Sequence, residues 1–252
     1  MIFANSELSH QHSLETLNML QEHDEFMESI GTLIDLGCGA GLDTEWWATR
    51  VTREDNPKPL DIQCTGVDVI DQVFAPGHNK NVTYQHQDFE NTIDTATDQL
   101  FDVLWCHDAF QYAIDPIGTL ARWYNIASSG AMLVIIVPET QRIHHKKLMF
   151  AQPTGCYYHY SVVSLIHMLA VSGWDCRSGF FKKNPTDNWI HAIVYKSDHK
   201  PMDPRTTTWY QLSEIGLLPE SADASIQAHG ELQQQELILP WLDKSLCWLG
   251  NY

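Results

Sequence analysis

The chain has 252 residues, of which 44% are hydrophobic, enough for one large folded domain or one domain with additions. Its 15 basic residues oppose 32 acidic ones, so the formal net charge is −17. Nucleic-acid binding depends on Lys and Arg neutralising phosphates, and docking on an anionic membrane depends on the same residues. The composition therefore predicts neither a nucleic-acid partner nor a membrane partner.

The cysteines and the first residues bear on the cellular compartment. Six cysteines are scattered along the chain with no C-x-x-C pair. The start, MIFANSELSH, lacks the basic and apolar regions of a signal peptide, and the longest apolar run, residues 131–137, is too short to span a bilayer. These features predict free thiols and a cytoplasmic protein.

The N-terminal half alternates between strand and helix patterns. Leucines at helical spacing after Ser13 predict a short amphipathic helix at residues 13–22, within an N-terminal segment, 1–30, that serves as a lid or cap. The stretch TLIDLGCGAGLDTEWWATR then predicts a strand, a glycine-rich turn and a helix with Leu42, Trp46, Trp47 and Val51 on one apolar face. After a polar loop, three further strands are expected at residues 62–68, 82–85 and 101–106.

The second half continues the alternation. Asp115 and Pro116 start the clearest helix, and a fully apolar strand follows at residues 131–137. Ser161 caps another helix, and two strands without a helix between them close the pattern at residues 175–181 and 189–196. The expected fold class is α/β: a Rossmann-like, doubly wound, seven-stranded and mostly parallel sheet with helices on both faces and a final antiparallel hairpin strand.

The pattern divides the chain into three parts. The alternating elements occupy residues 31–197, between the N-terminal segment and a C-terminal part, 198–252, that contains a linker and an apolar tail. We expect the tail to form a helical appendage that packs back on the domain. The alternative is a homodimer contact through this appendage.

The glycine turn is the most informative motif. Gly37, Gly39 and Gly41 follow a strand and open a helix, where backbone N–H groups can approach a ligand closely. A nicotinamide dinucleotide turn has the spacing G-x-G-x-x-G, whereas here the spacing is G-x-G-x-G and position 42 is Leu42. A P-loop would need G-K-[ST], which is absent. The turn fits neither nucleotide-binding motif.

Asp35 to Gly41 (DLGCGAG) resembles motif I of the class I S-adenosylmethionine-dependent methyltransferases, and other landmarks of that family follow in order over residues 31–197. The resemblance implies that Asp68 accepts from the ribose hydroxyls, that Asp88 and Phe89 contact the adenine, and that Cys106 and His107 lie beside the methionine part. Asp35 either orients the loop or meets the methionine ammonium through water. The implied cofactor-binding residues are Asp35, Gly37, Cys38, Gly39, Gly41, Asp68, Val69, Asp88, Phe89, Cys106 and His107.

Methyl transfer needs alignment of the reactants and, for some acceptors, a base. The best candidates for a catalytic residue are His159 and His107. An aromatic stretch before the 161–171 helix suits an acceptor pocket, and DAFQY (108–112) resembles the DAF-x-H stretch of some small-molecule N-methyltransferases, with a tyrosine in place of the histidine. The expected substrate-binding residues are Tyr112, Tyr157, Tyr158 and Tyr160; packing in the core or a lid is the alternative.

The resemblance implies a methyltransferase that uses S-adenosylmethionine, releases S-adenosylhomocysteine and acts on an O, N or C atom of a small molecule. No recognised metal-ligand spacing occurs, so no metal is expected. Two alternatives are a transferase of the aminopropyl type, for which Asp108 would be the acidic residue after the fourth strand, and a non-catalytic protein that binds the cofactor.

Overall fold

A seven-stranded sheet forms the centre of the molecule. The computed structural model describes residues 6–52, 57–69, 79–94, 99–139, 156–184, 189–243 and 248–249. The seven strands of the sheet are β1 (Thr32–Leu36), β2 (Gln63–Asp68), β3 (Val82–His86), β4 (Phe101–His107), β5 (Ala127–Pro138), β6 (Trp174–Asn184) and β7 (Trp189–Lys196). A separate two-stranded hairpin joins β8 (Ile238–Leu239) to β9 (Trp248–Leu249).

The strand order is β3–β2–β1–β4–β5–β7–β6. The first five of these strands run parallel, and β7 runs antiparallel to both β5 and β6. The predicted α/β sheet with a final antiparallel hairpin is therefore confirmed. The strands β2 and β3 lie on one side of β1, and β4 and β5 lie on the other side. The strand order therefore reverses between β1 and β4, and sheets of this type bind ligands in the crevice at the carboxyl ends of the strands at that point.

Seven α-helices accompany the described strands. They are α1 (Ser6–Gln21), α2 (Asp24–Ser29), α3 (Leu42–Ala48), α4 (Pro116–Ile126), α5 (Val162–Val171), α6 (Trp209–Glu214) and α7 (Glu220–His229). The side chain of Asp115 accepts from the backbone N–H of Gly118 at the start of α4, and Ser161 caps α5. These two helix starts were predicted from the sequence.

Each face of the sheet has its own apolar core. The first three helices cover one face, where Leu17, Trp47 and Trp105 are buried in one cluster. The other face carries α4 to α7 over a second cluster that includes Trp123 and Leu165. Helices packed on both faces hold the sheet rigid, so residues at the carboxyl ends of its strands keep fixed relative positions.

The first helix is longer than predicted, because it begins at Ser6 and not near residue 13. Ser13 therefore lies inside the helix and is not its N-cap. Its buried hydroxyl donates to the Asp43 carboxylate at 2.7 Å instead. The first half of the helix is mainly polar and is stabilised by packing against the domain, so hydrophobic spacing does not predict where the helix begins.

The buried face of α3 also differs from the prediction. Leu42 and Val51 are 38% and 39% exposed, and the helix ends at Ala48. The residues turned inward are Asp43, Thr44, Trp47 and Ala48. Asp43 and Thr44 face the protein interior because they form hydrogen bonds there, Asp43 with Ser13 and Thr44 with Asp35. Hydrophobic periodicity cannot predict such polar contacts.

The C-terminal part is helical only in α6 and α7. Beyond them, residues 238–239 and 248–249 form the antiparallel β8–β9 pair, so the predicted helical appendage does not extend to these residues. Pro240 cannot donate a helical hydrogen bond, and its carbonyl accepts from the backbone N–H of Phe181 at 2.9 Å, on the edge strand β6. The tail packs on its own domain, and the side chains that it buries there are Leu237, Leu239 and Trp241. These side chains are not available to a second copy of the chain.

Candidate active site

The glycine turn joins β1 to α3 at the crevice. The backbone N–H groups of Gly37 and Cys38 donate to the carbonyl of Val67 at 2.8 and 3.0 Å, which ties the turn to the end of β2. Gly37 has φ of +85°, and a Cβ built on it would lie 2.3 Å from the Cβ of Ala109. The turn can therefore lie this close to the segment after β4 only because Gly37 has no side chain.

Gly39 lies on the open side of the same turn. Its φ is +53°, and a Cβ built on it would meet no atom within 4 Å. Its N–H donates to Oδ2 of Asp68, the last residue of β2, at 2.8 Å. The turn thus offers open space directly beside a buried carboxylate, while Gly41 ends it at the start of α3.

Asp35 lies beneath the turn. It is 2% exposed, and its Oδ2 accepts from the hydroxyl of Thr44 in α3 at 2.5 Å. Burial raises the pKa of Asp35 well above its ordinary value, and the nearby charge of Asp43 raises it further. Of the two roles considered for Asp35, this contact favours orientation of the loop.

The segment after β3 packs behind the turn. Asp88 accepts from the backbone N–H of Glu90 at 2.9 Å, so its carboxylate starts the helical turn at residues 89–94. The Phe89 ring is buried, 3.7 Å from the Cβ position of Gly37, and its carbonyl accepts from Trp123. Val69 is 54% exposed beyond the end of β2. Phe89 therefore packs beside Gly37, and the contact of Asp88 and Phe89 with the adenine stays a prediction.

Cys106 and His107 end β4 on opposite faces of the sheet. Cys106 is fully buried in the core beside α4 and α5, and burial raises the pKa of its thiol. Its side chain therefore does not reach the crevice, contrary to the expectation from the sequence. His107 points to the other face, where its Nδ1 lies 3.0 Å from Oδ2 of Asp43.

Asp43 is a functional candidate that the sequence analysis did not single out. Its buried carboxylate contacts four donor groups, from α1 and β4: His10, Ser13, Trp105 and His107. Although burial raises its pKa, the hydrogen bonds from His10 and His107 lower it well below the ordinary value, so Asp43 is ionised. Its signal in the sequence was weak, since an acidic residue in a first helical turn is common for stability alone.

The tyrosines expected at the acceptor site divide into two groups. Tyr112, Tyr157 and Tyr158 are exposed, and the backbone N–H groups of Tyr157 and Tyr158 both donate to the carbonyl of Gln111, which places the three side by side. Tyr160 is only 2% exposed; its ring stacks on Phe110 and its hydroxyl donates to the Phe110 carbonyl. Tyr160 is a core residue, so its predicted substrate contact is replaced by packing.

His159 lies between these groups. Residues 139 and 160 form a parallel bridge, so His159 lies next to the end of β5. Burial lowers the pKa of His159, and its Nδ1 is buried with no hydrogen-bond partner among the residues the structure describes. No described carboxylate orients the ring, in contrast to His107.

Comparisons with known proteins agree with this geometry. Residues 34–135 match the family model of a methyltransferase domain. No curated protein matches the chain. The fold is similar to that of 1,6-didemethyltoxoflavin-N1-methyltransferase of Burkholderia thailandensis, solved with S-adenosylhomocysteine and 1,6-didemethyltoxoflavin, at 13% identity and a TM-score of 0.50 over 67% of this chain and 72% of that one.

Two further solved structures share the fold. One is the N-methyltransferase NodS of Bradyrhizobium japonicum with S-adenosylhomocysteine, at 14% identity and a TM-score of 0.52, over 73% of this chain and 87% of that one. The other is a putative S-adenosylmethionine-dependent methyltransferase of Listeria monocytogenes, at 15% identity and a TM-score of 0.52, over 68% of this chain and 93% of that one.

The fold and the glycine turn are thus of the Rossmann-like, cofactor-binding type. More specifically, the match of residues 34–135 to a methyltransferase domain, together with neighbours solved with S-adenosylhomocysteine, identifies a methyltransferase that uses S-adenosylmethionine as its cofactor.

The residues at the crevice fit this cofactor. Its sulfonium activates a methyl carbon for displacement, and its ammonium and ribose diol call for acceptor groups. A carboxylate offers about four acceptor positions, so Asp68 can hold the Gly39 N–H and also accept from hydroxyls. The open space at Gly39 leaves room for the ligand against the turn.

The described residues were also compared with the requirements of a metal site and of a membrane-spanning helix. None of their groups of His, Cys, Asp and Glu could hold a metal ion. None of their helices is both long enough and apolar enough to cross a membrane.

Proposed function

We propose that the protein transfers the methyl group of S-adenosylmethionine to a small-molecule acceptor. The observation that carries this proposal is the contact between the Gly39 N–H and Asp68, next to open space at the crevice between β1 and β4. The net charge of −17 disfavours a nucleic-acid acceptor. Aminopropyl transfer gains no support, because the carboxylate of Asp108 accepts from the amide of Gln111 at 2.6 Å.

The acceptor would enter beside the exposed tyrosines. Tyr112, Tyr157 and Tyr158 form an aromatic edge after β4 and before α5, and the hydroxyl of Tyr158 donates to the carbonyl of Ile114. Aromatic side chains of this kind suit a planar acceptor or, by cation–π contact, a cationic amine. His159 follows this edge directly and stays a candidate for contact with the acceptor.

We also propose a cytoplasmic location. The five cysteines within the described residues are all free thiols, as expected in a reducing compartment.

The replacement Asp68→Ala is expected to weaken S-adenosylhomocysteine binding about 10- to 100-fold, because a hydrogen bond to a charged group contributes about 1.5–3 kcal/mol. Calorimetry with S-adenosylhomocysteine and with NAD measures this and tests the proposed cofactor site. Asp61→Ala is the matched control, since Asp61 is an exposed carboxylate just before the other end of β2. Binding of NAD alone, or equal affinities in the two variants, would contradict the proposed site.

Loss of the Tyr157 ring should affect the acceptor and not the cofactor. Tyr157 is 65% exposed, so Tyr157→Ala removes an aromatic contact of about 0.5–1.5 kcal/mol and should raise the KM for the acceptor about 2- to 10-fold. Tyr210→Ala is the control, because Tyr210 is 52% exposed on α6. A tighter or weaker S-adenosylhomocysteine complex in Tyr157→Ala, with the KM unchanged, would remove Tyr157 from the acceptor site.

A further inference from the structure

His107 and Asp43 form a buried pair at the edge of the crevice. Nδ1 of His107 lies 3.0 Å from Oδ2 of Asp43, and Nε1 of Trp105 donates to the same oxygen at 2.9 Å. The other carboxylate oxygen accepts from Ser13 and His10 of α1. Two elements thus hold the carboxylate, and the carboxylate in turn holds the imidazole.

The pair determines which nitrogen of His107 carries the proton. An ionised carboxylate can only accept hydrogen bonds, so Nδ1 of His107 must be the protonated nitrogen. In the neutral ring, Nε2 then has a lone pair. Nε2 is buried and has no hydrogen-bond partner within the described part of the chain. A buried acceptor without a partner destabilises the protein, and a bound group with an O–H or N–H would provide that partner.

The position of His107 relates it to the cofactor turn. The register between β1 and β4 pairs Asp35 with Trp105, so His107, two residues further, is level with Gly37. Asp108, directly after it, has φ of +54°, an unusual conformation for a residue other than glycine. Such strained positions are found at functional sites. His107 therefore lies at the carboxyl end of β4, level with the glycine turn and next to a strained backbone position.

Aromatic rings border the imidazole. The ring of Trp189 lies 5.9 Å from that of His107, and His12 of α1 stacks on Trp189 at 4.8 Å. Nε2 of His107 is itself buried. A planar acceptor suits such surroundings.

We propose that His107, oriented by Asp43, is the general base for a phenol-type hydroxyl acceptor. This rests on the proposed methyltransferase function. As the hydroxyl oxygen forms a bond to the methyl carbon, its proton passes to Nε2 of His107, the bond from that carbon to sulfur breaks, and the electron pair stays on sulfur. The products are a methyl ether, S-adenosylhomocysteine and a protonated His107 paired with Asp43.

The chemistry of the acceptor follows from the need for a base. A phenolic hydroxyl has a pKa of about 10 and must lose its proton to react at neutral pH. A carboxylate has no such proton, and a neutral amine attacks before its proton leaves. His159 fits the role of base less well, because no described carboxylate orients its ring.

The first test needs no natural acceptor. Long-range ¹H–¹⁵N spectra of the histidine rings, assigned with His107→Asn, are expected to show His107 protonated at Nδ1 with a free Nε2 at pH 8. In Asp43→Asn this preference should be lost. A His107 ring protonated at Nε2 in the wild-type protein would overturn the proposal.

The second test compares three matched probes, phenol, benzoate and benzylamine, with labelled S-adenosylmethionine. Methyl transfer to phenol is expected, with turnover about 10²–10⁴-fold lower in His107→Asn and partly restored by added imidazole. Asp43→Asn, a positioning variant, should shift the acid limb of the pH–rate profile. His199→Asn is the control, because His199 is exposed.

The outcomes separate the two proposals. Transfer only to benzoate or benzylamine, or phenol methylation undiminished in His107→Asn, would overturn the role of His107 while the methyltransferase function stands. Failure of the wild-type protein to bind S-adenosylhomocysteine would contradict the proposed function itself. If Asp43→Asn fails to fold, the wild-type ring spectrum, assigned with His107→Asn, decides the inference.

Discussion

Replacing Gly37 by alanine is expected to cost about 2–5 kcal/mol, seen as lower stability or as weaker S-adenosylhomocysteine binding. The left-handed conformation at φ of +85° accounts for about 1–2 kcal/mol in a residue with a side chain. The new Cβ would also lie 2.3 Å from the Cβ of Ala109, and overpacking of this kind costs about 1–3 kcal/mol. Ala109 is buried, so it has little room to move.

Gly130→Ala separates the two contributions. Gly130 also has a positive φ, +71°, but a Cβ there would meet nothing within 4 Å. The control should therefore lose only the conformational part of the free energy of unfolding and bind S-adenosylhomocysteine normally. Calorimetry and urea unfolding measure both quantities. Equal effects of the two replacements would mean that the close approach to Ala109 is not needed for the site.

The second large effect is a loss of stability in acid through His191. This residue is fully buried, and Nδ1 of its ring lies 2.8 Å from the hydroxyl of Thr16. Burial lowers the pKa of His191 to about 3, and the positive charge of Lys182 acts in the same direction. The ordinary value is about 6.5, so between these two pH values the unfolded chain binds a proton that the folded chain does not.

The sign of the effect follows from this difference. The contribution of neutral His191 to stability is complete above pH 6.5 and is lost as the pH falls towards about 3. The slope is about 1.4 kcal/mol per pH unit, so about 2 kcal/mol should disappear between pH 6.5 and 5. The chain has 13 histidines, so a variant is needed to isolate the contribution of His191.

His191→Gln provides that variant, because an amide can bond to Thr16 but does not titrate. Urea unfolding at pH 7 and pH 5 should give a smaller loss for His191→Gln than for wild type, by about 2 kcal/mol. His199→Gln, at an exposed position, should behave like wild type. Identical pH dependence in all three proteins would mean that His191 is already protonated in the folded state.

The strands, their topology class and the cofactor turn were predictable from local patterns in the chain. Each of these depends on local signals: an apolar run for β5, Asp115 and Pro116 at the start of α4, and the spacing of Gly37, Gly39 and Gly41. The prediction of a helix at the end of the tail was wrong, because Pro240 and the edge strand β6 together favour paired strands over a helix. Local patterns identify elements reliably when the residues that stabilise them are neighbours in the chain.

Which of the candidate residues lie together is apparent from the folded chain and not from its sequence. Cys106 and His107 are adjacent in the sequence, yet alternation along β4 turns one into the core and the other towards Asp43. Asp43 itself gathers donors from residues 30 and more positions away, among them Ser13 and Trp105. A hydrogen bond depends on distance and direction in space, and no pattern in the sequence records which distant donor meets a given carboxylate.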